Sequence, residues 1–147
     1  MRFVVDTNVL VSAMLGPGRV PDQFLALLAK CGATVLYDAR IRAEYTEVVR
    51  RPKFRSIAVE RRESMLASLL EVGIELTDVA PFAGDLHDGD DRIFIEVALA
   101  GRADAIVTGN LKDYPEGLGV EVLPPATALA RLEPLYCART IERTSSS

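Results

Sequence analysis

Tryptophan is absent from this 147-residue chain, and its aromatics are limited to five phenylalanines and four tyrosines. A surface that worked by stacking rings on nucleobases would have few rings to use, so stacking is at most a minor device here. The single histidine, His87, leaves Thr7, Asn8 and Ser12 without a base placed beside them, which argues against a nucleophilic triad. Cys31 and Cys137 are too few for a disulfide scaffold, and neither has the near neighbours of a zinc site. They are expected to be reduced thiols in a cytoplasmic setting. No apolar run reaches the roughly 18–20 residues that span a bilayer, so no membrane association is expected. The N-terminus runs straight into a strand pattern and does not read as a signal peptide.

What the chain does contain is 49% hydrophobic and 26% charged residues, the balance of a globular domain large enough to bury a core. The net charge of −4 appears to exclude a polyanionic partner, but the charges are unevenly spread. Eight of the 17 basic residues fall between Arg40 and Arg62: Arg40, Arg42, Arg50, Arg51, Lys53, Arg55, Arg61 and Arg62. The acids in or bordering that stretch are Glu44, Glu47, Glu60 and Glu63. From Asp85 to Asp91 the balance reverses, with four aspartates in seven residues and no cation. A basic and an acidic sector in one small domain are suited to holding an anion and a cation side by side. Solvated helix faces would account for either cluster alone.

Phe3, Val4 and Val5 form a short apolar run without helical period, the pattern of a strand buried on both faces. The run ends abruptly at Asp6. A helix over Val9 to Leu15 follows, with Asn8 as its expected cap, and Gly16-Pro17-Gly18 breaks it. Pro21 and Asp22 open a second helix carrying Phe24, Leu25, Leu27 and Leu28, stopped by Gly32. Thr34 to Tyr37 reads as a strand. Asp38 caps the next helix, which turns Ile41, Tyr45, Val48 and Val49 inward, sets Glu44 at the border of that face, and ends by Pro52. Val59 to Val72 is amphipathic, with Met65, Leu66, Leu69 and Leu70 inward, and Ile74 to Leu76 reads as a short edge strand. After a loop from Ala80 to Gly89, Asp90 and Asp91 open a helix that ends at Gly101, acids in a first turn suiting the helix dipole. Strands are expected over Ala103 to Thr108 and Val120 to Leu123, and a final short helix from Pro125 to Leu132. Strands alternating with helices predict an α/β class with a largely parallel sheet between helical layers. The domain is expected to span residues 1–132, with 133–147 a partly disordered tail.

In a parallel sheet, Asp6, Asn110 and Asp113 follow strands at the carboxyl edge, where ligands gather, and Asp91 starts a helix that precedes one of those strands. Glu44 can reach the same edge. Converging carboxylates repel unless a hard cation joins them, and oxygen-only ligation points to Mg²⁺ or Mn²⁺. Such a site lowers the pKa of a bound water and holds a phosphate oxygen, which suits phosphodiester hydrolysis. Plain helix caps and first-turn acids explain Asp6, Asp90 and Asp91 separately.

The segment Val4-Val-Asp6-Thr-Asn-Val-Leu-Val-Ser-Ala13 resembles the start of PIN-domain nucleases. Glu44-Tyr-Thr-Glu-Val-Val-Arg-Arg-Pro-Lys-Phe54 is similar to the second-acid helix of the branch known as toxins of toxin–antitoxin pairs (VapC-like). Asp88-Gly-Asp-Asp-Arg-Ile-Phe-Ile-Glu-Val-Ala-Leu-Ala-Gly101 resembles the third-acid segment, and Ala103-Asp-Ala-Ile-Val-Thr-Gly-Asn110 the fourth. The four blocks stand in family order. The resemblance implies a three-layer α/β/α sandwich and a Mg²⁺- or Mn²⁺-dependent endoribonuclease that leaves a 5′-phosphate. It also implies a small antitoxin as partner and pairing into a homodimer. Asp6, Glu44 and Asp91 would be the catalytic, metal-holding acids. The family's fourth acid falls on Asn110, an amide without charge, and Asp113 would supply the missing carboxylate. Asn8, Thr108 and Asp88 would support the ligands. His87 has no counterpart in the family pattern and is not expected to act as a base. Arg40, Arg42, Arg50, Arg51, Lys53 and Lys112 would hold the RNA backbone.

Two alternatives remain at this stage. One is an RNA-processing nuclease that is not a toxin. The other is a degenerate domain that binds RNA or a partner without cutting, for which Asn110 is the support.

Overall fold

The computed structural model describes residues 1–84 and 91–145, with side chains described through 136. Five strands form one sheet: β1 (Arg2–Val5), β2 (Thr34–Tyr37), β3 (Gly73–Glu75), β4 (Ala105–Val107) and β5 (Glu121–Leu123). Their order is β3-β2-β1-β4-β5, and every pairing is parallel. The helices are α1 (Thr7–Leu15), α2 (Val20–Lys30), α3 (Ala39–Val49), α4 (Val59–Glu71), α5 (Arg92–Ala100) and α6 (Pro125–Ser145). From β1 to β3 the chain steps one way along the sheet; it then returns across it to reach β4. Right-handed crossovers therefore put α1 to α4 on one face and α5 on the other. The packing agrees: α1, α2, α3 and α4 contact one another, α6 lies on α2, and α5 lies on β1, β2 and β4. The result is the three-layer α/β/α sandwich.

β1 is the central strand. Phe3, Val4 and Val5 are fully buried, as are Ile106 and Val107 of the neighbouring β4. On the helical side, Phe3 meets Phe24 of α2 edge-on, with ring centroids 5.6 Å apart. On the opposite face, Phe94, Ile95, Val97 and Ala98 of α5 are buried. Leu28, Leu66 and Leu69, on the inner faces of α2 and α4, are buried within this chain.

Three local expectations change. The cap of α1 is Asp6, not Asn8: the Asp6 carboxylate accepts from the Asn8 backbone N–H (3.3 Å), and Asn8 lies inside the helix. β4 is shorter than Ala103 to Thr108, running from Ala105 to Val107; at its ends the Asp104 carboxylate accepts from the Arg2 backbone N–H (2.7 Å) and the Thr108 hydroxyl donates to Asp6. The last helix passes Leu132 and carries Pro134 within it, reaching Ser145. The expected caps at Asp38 and the break at Gly32 hold: Asp38 accepts from Ile41 N–H (3.0 Å), and Gly32 adopts φ 68°, a left-handed turn that favours glycine.

Truncating Ile95, which α5 buries completely, should cost about 2–5 kcal/mol in urea unfolding. The same change at Ile74, half exposed on the β3 edge, should stay within about 0.5 kcal/mol. Equal costs at the two positions would contradict this assignment of the core.

Candidate active site

The direction of travel through the sheet reverses between β1 and β4, so the carboxyl ends of these two strands flank a crevice. The register pairs Val5 with Val107, and the next residue on each strand is a polar one, Asp6 and Thr108. The Thr108 hydroxyl donates to Asp6 Oδ2 (3.0 Å), and the Tyr114 hydroxyl donates to the same oxygen (2.9 Å). Thr108 Oγ1 in turn accepts from Asn8 Nδ2 (3.2 Å) and the Asn110 backbone N–H (3.0 Å). Asn8 Oδ1 accepts from the Gly109 N–H (2.9 Å). Asn8 and Thr108 thus link the Asp6 carboxylate to the end of β4 through a run of hydrogen bonds.

Asp6 is 5% exposed. Burial raises its pKa above the usual carboxylate value; hydrogen bonds from Tyr114, Asn8 and Thr108 oppose the rise, and the Asp113 charge adds to it. Among the described residues, the groups that bear on Asp6 are hydroxyls, an amide and a carboxylate, not a cation.

The other candidate acids lie on α3, at the start of α5 and in the turn after β4. Glu44, on α3, is half-buried, and the Thr7 hydroxyl at the start of α1 donates to its Oε2. Tyr45, next along α3, is buried with its hydroxyl donating to the Val5 carbonyl. Burial raises its pKa, and the charges of both Asp6 and Glu44 add to the effect. Asp91 is buried at the N-cap of α5, yet its carboxylate does not cap that helix. Tyr114 is likewise pushed upward, by burial and then by the charges of Asp6 and Asp91. In the turn after β4, Asn110 Nδ2 donates to Asp113 Oδ2 (2.8 Å), so the amide and the carboxylate of the contested fourth corner touch. The charge of Asp113 bears on Asp6, that of Glu44 on Tyr45 and that of Asp91 on Tyr114. Asp88, Asp90 and His87 lie outside the described residues.

Among the described residues, no three carboxylate, histidine or cysteine side chains stand grouped to hold an ion unaided. Mg²⁺ in phosphate-handling sites keeps several waters and takes one or two carboxylates with substrate oxygens. An oxygen-only donor set around a buried carboxylate of raised pKa fits an ion held that way, because a hard cation would offset the cost of the buried charge.

The basic sector behaves differently from its sequence pattern. Arg40 bridges Asp38 (2.7 Å) and the buried Glu96 of α5 (2.7 Å). Arg42 pairs with Glu75, Arg50 with Glu63 and Arg51 with Glu47, all at the surface. Arg61 and Arg62 donate to main-chain carbonyls of Ala13, Ile57 and Val49, and Lys53 lies 5.1 Å from the Phe54 ring centre. Lys112 is exposed between Asn110 and Asp113.

Sequence reasoning missed Thr7, Tyr114 and Glu96. Glu96 carried a signal: it is a lone acid among Phe94, Ile95, Val97 and Ala98, and a buried carboxylate in such a run needs partners. Its Oε2 accepts from the Phe82 N–H (2.7 Å), while Arg92 donates to the Phe82 carbonyl. Tyr114 carried no local signal, being 108 residues from Asp6.

The site is a buried, hydrogen-bonded carboxylate at the switch point of a parallel α/β sheet. The chain belongs to the PIN domain family, whose model matches residues 2–112. PIN domains are a nuclease family whose members generally use a divalent metal. No curated protein matches the chain. One chain of the crystal structure of VapBC2 from Rickettsia felis bound to a DNA fragment from their promoter has the same fold. It aligns with a TM-score of 0.57 and 22% identity, over 84% of this chain and 98% of that one. Among the described residues, no helix is long and apolar enough to cross a membrane.

The raised pKa of Asp6 has a consequence for stability. A carboxyl whose folded pKa exceeds its unfolded value adds stability below the unfolded pKa, near 3.8, and loses it as pH rises through the folded one. Thermal melts in EDTA should therefore show wild type gaining on Asp6→Asn as the pH falls from 7 to 4. A stability gap that is flat, or that moves the other way, would mean Asp6 is not burdened by burial.

Proposed function

We propose that this chain is a Mg²⁺- or Mn²⁺-dependent endoribonuclease and the toxin of a toxin–antitoxin pair. The observation that carries the proposal is Asp6: a buried carboxylate held by Thr108, Tyr114 and Asn8 at the switch point, with Glu44, Asp91 and Asp113 acting on the same crevice. A divalent cation bound there supplies charge stabilisation for phosphoryl oxygens and lowers the pKa of water. Asp6, Glu44, Asp91 and Asp113 would hold it, with the Asn110 amide oxygen as a neutral donor. Asn8 and Thr108 keep the Asp6 carboxylate in one orientation.

For the RNA backbone, Lys112 is the cation nearest the fourth corner in sequence. Arg42, Arg50 and Arg51 sit in exposed ion pairs, which are worth little and which a phosphate can displace. Lys53 lies on the turn that follows them. Arg40 is different: it serves the buried Glu96 and is withdrawn from the proposed RNA contacts. The antitoxin partner and a cytoplasmic setting rest on family membership and on the resemblance to the toxin branch, as does the homodimer.

RNA incubated with the protein should be cut in Mg²⁺ and left intact in EDTA. Asp91→Ala should lower the cleavage rate about a hundredfold or more, the loss of roughly 3 kcal/mol of charge stabilisation. Cleavage that survives both EDTA and Asp6→Asn would sink the metal mechanism. Induced expression should arrest growth, and unaffected growth would remove the toxin role while leaving the nuclease.

A further inference from the structure

The turn after β4 begins and ends on one oxygen atom. Thr108 opens it with a hydrogen bond to Asp6 Oδ2, and Tyr114 closes it with a second bond to the same Oδ2. Between them, Asp113 N–H donates to the Asn110 carbonyl (3.1 Å) and Tyr114 N–H to the Leu111 carbonyl (3.2 Å). Asn110 is fastened at its backbone to Thr108 and at its side chain to Asp113. Tyr114 is 7% exposed, whereas Asn110, Leu111 and Lys112 are exposed, so the tyrosine is the anchor of a turn that otherwise sits at the surface.

The position where the family's fourth-acid block would end in a carboxylate is an amide here, Asn110. The next carboxylate on the turn, Asp113, directly precedes the anchored tyrosine. A one-residue separation from a buried, hydrogen-bonded side chain leaves Asp113 little freedom to move relative to Asp6. Without the anchor, Asp113 would be held only by bonds within its own exposed turn, to the Asn110 side chain and carbonyl.

We propose that Tyr114 is a positioning residue: its hydroxyl clasps the turn to Asp6 and so holds Asp113 as the working fourth acid in place of Asn110. This rests on the metal-dependent reading of the site and concerns a residue to which neither family membership nor the fold likeness assigns a role. Tyr114 touches neither substrate nor the bound ion in this account. It acts by holding Asp113 in place, with the Asp6 carboxylate as the fixed point to which the turn is tied.

The test is calorimetric titration of Mn²⁺ into metal-free wild type, Tyr114→Phe, Asp113→Asn and the double variant. The ring is kept in Tyr114→Phe, and a thermal melt in EDTA checks that each variant is folded. Removing an outer partner of a metal ligand weakens binding by about tenfold or more, which is the loss expected for Tyr114→Phe. Because the clasp works through Asp113, Tyr114→Phe should then cost less than about twofold once Asp113 is already Asn, the non-additivity of residues acting as a unit. Leu111→Ala, in the same turn but exposed, should leave Mn²⁺ affinity unchanged. Tyr114→Phe binding Mn²⁺ as wild type does, or losses that simply multiply in the double variant, would overturn the clasp and leave the nuclease proposal standing. Wild type that binds no Mn²⁺ would overturn both.

Discussion

The hydrogen bond from Thr108 to Asp6 joins the ends of the two strands at which the sheet changes direction, and much of the site is arranged around it. A carboxylate at 5% exposure loses most of its hydration. Three donors make good part of that loss, yet the pKa of Asp6 stays raised, so burial outweighs them. A fold selected only for stability would not keep an ionisable group there. The proposed cation would offset the cost of that buried charge.

The surrounding layers supply rigidity. Phe3, Val4 and Val5 lock β1 between helices, so Asp6 inherits a fixed backbone. Glu44 is placed by α3, whose start is set by the Asp38 cap and whose inner face is set by Tyr45 bonding to the Val5 carbonyl. Asp91 is placed by α5. There, Arg92 and Glu96, one turn apart, grip the carbonyl and the N–H of Phe82, and Arg40 ties Glu96 back to Asp38. That chain of contacts connects the ends of β2 and the start of α5 on the side of the sheet where the acids gather. It also explains why an arginine that reads as an RNA contact is occupied in the fold: a buried carboxylate needs its cation more than a solvated phosphate does.

The alternation of strand and helix, the parallel sheet and the cap at Asp38 are legible because each rests on local chemistry: an apolar run, a period of 3.6, a turn residue. Local chemistry leaves Asp6 and Asp91 readable as plain caps, and the resemblance is what singles out Asp6, Glu44 and Asp91 together. The cap of α1 was misassigned by two residues because Asp6 and Asn8 are both good caps, and only the pairing of β1 with β4 shows that Asn8 is needed elsewhere. The last helix runs past its expected end at Leu132 although Pro134, inside it, lacks a backbone donor. Tyr114 was invisible for a different reason. Its role depends on a tertiary contact between the first strand and a turn over a hundred residues later, which no spacing rule encodes. The charge sector from Arg40 to Arg62 was visible as composition, but whether each cation faces solvent or a carboxylate is decided by packing.

The central claim is that Asp6 anchors a divalent metal site at the switch point of the sheet. Crystals soaked in Mn²⁺ and measured for anomalous scattering would test it most directly. The account predicts a peak within bonding distance of an Asp6 carboxylate oxygen, roughly 2.1–2.2 Å for a small divalent ion, shared with at least one of Glu44, Asp91 or Asp113. A fully occupied Mn²⁺ peak elsewhere on the protein, with none at Asp6, would contradict it.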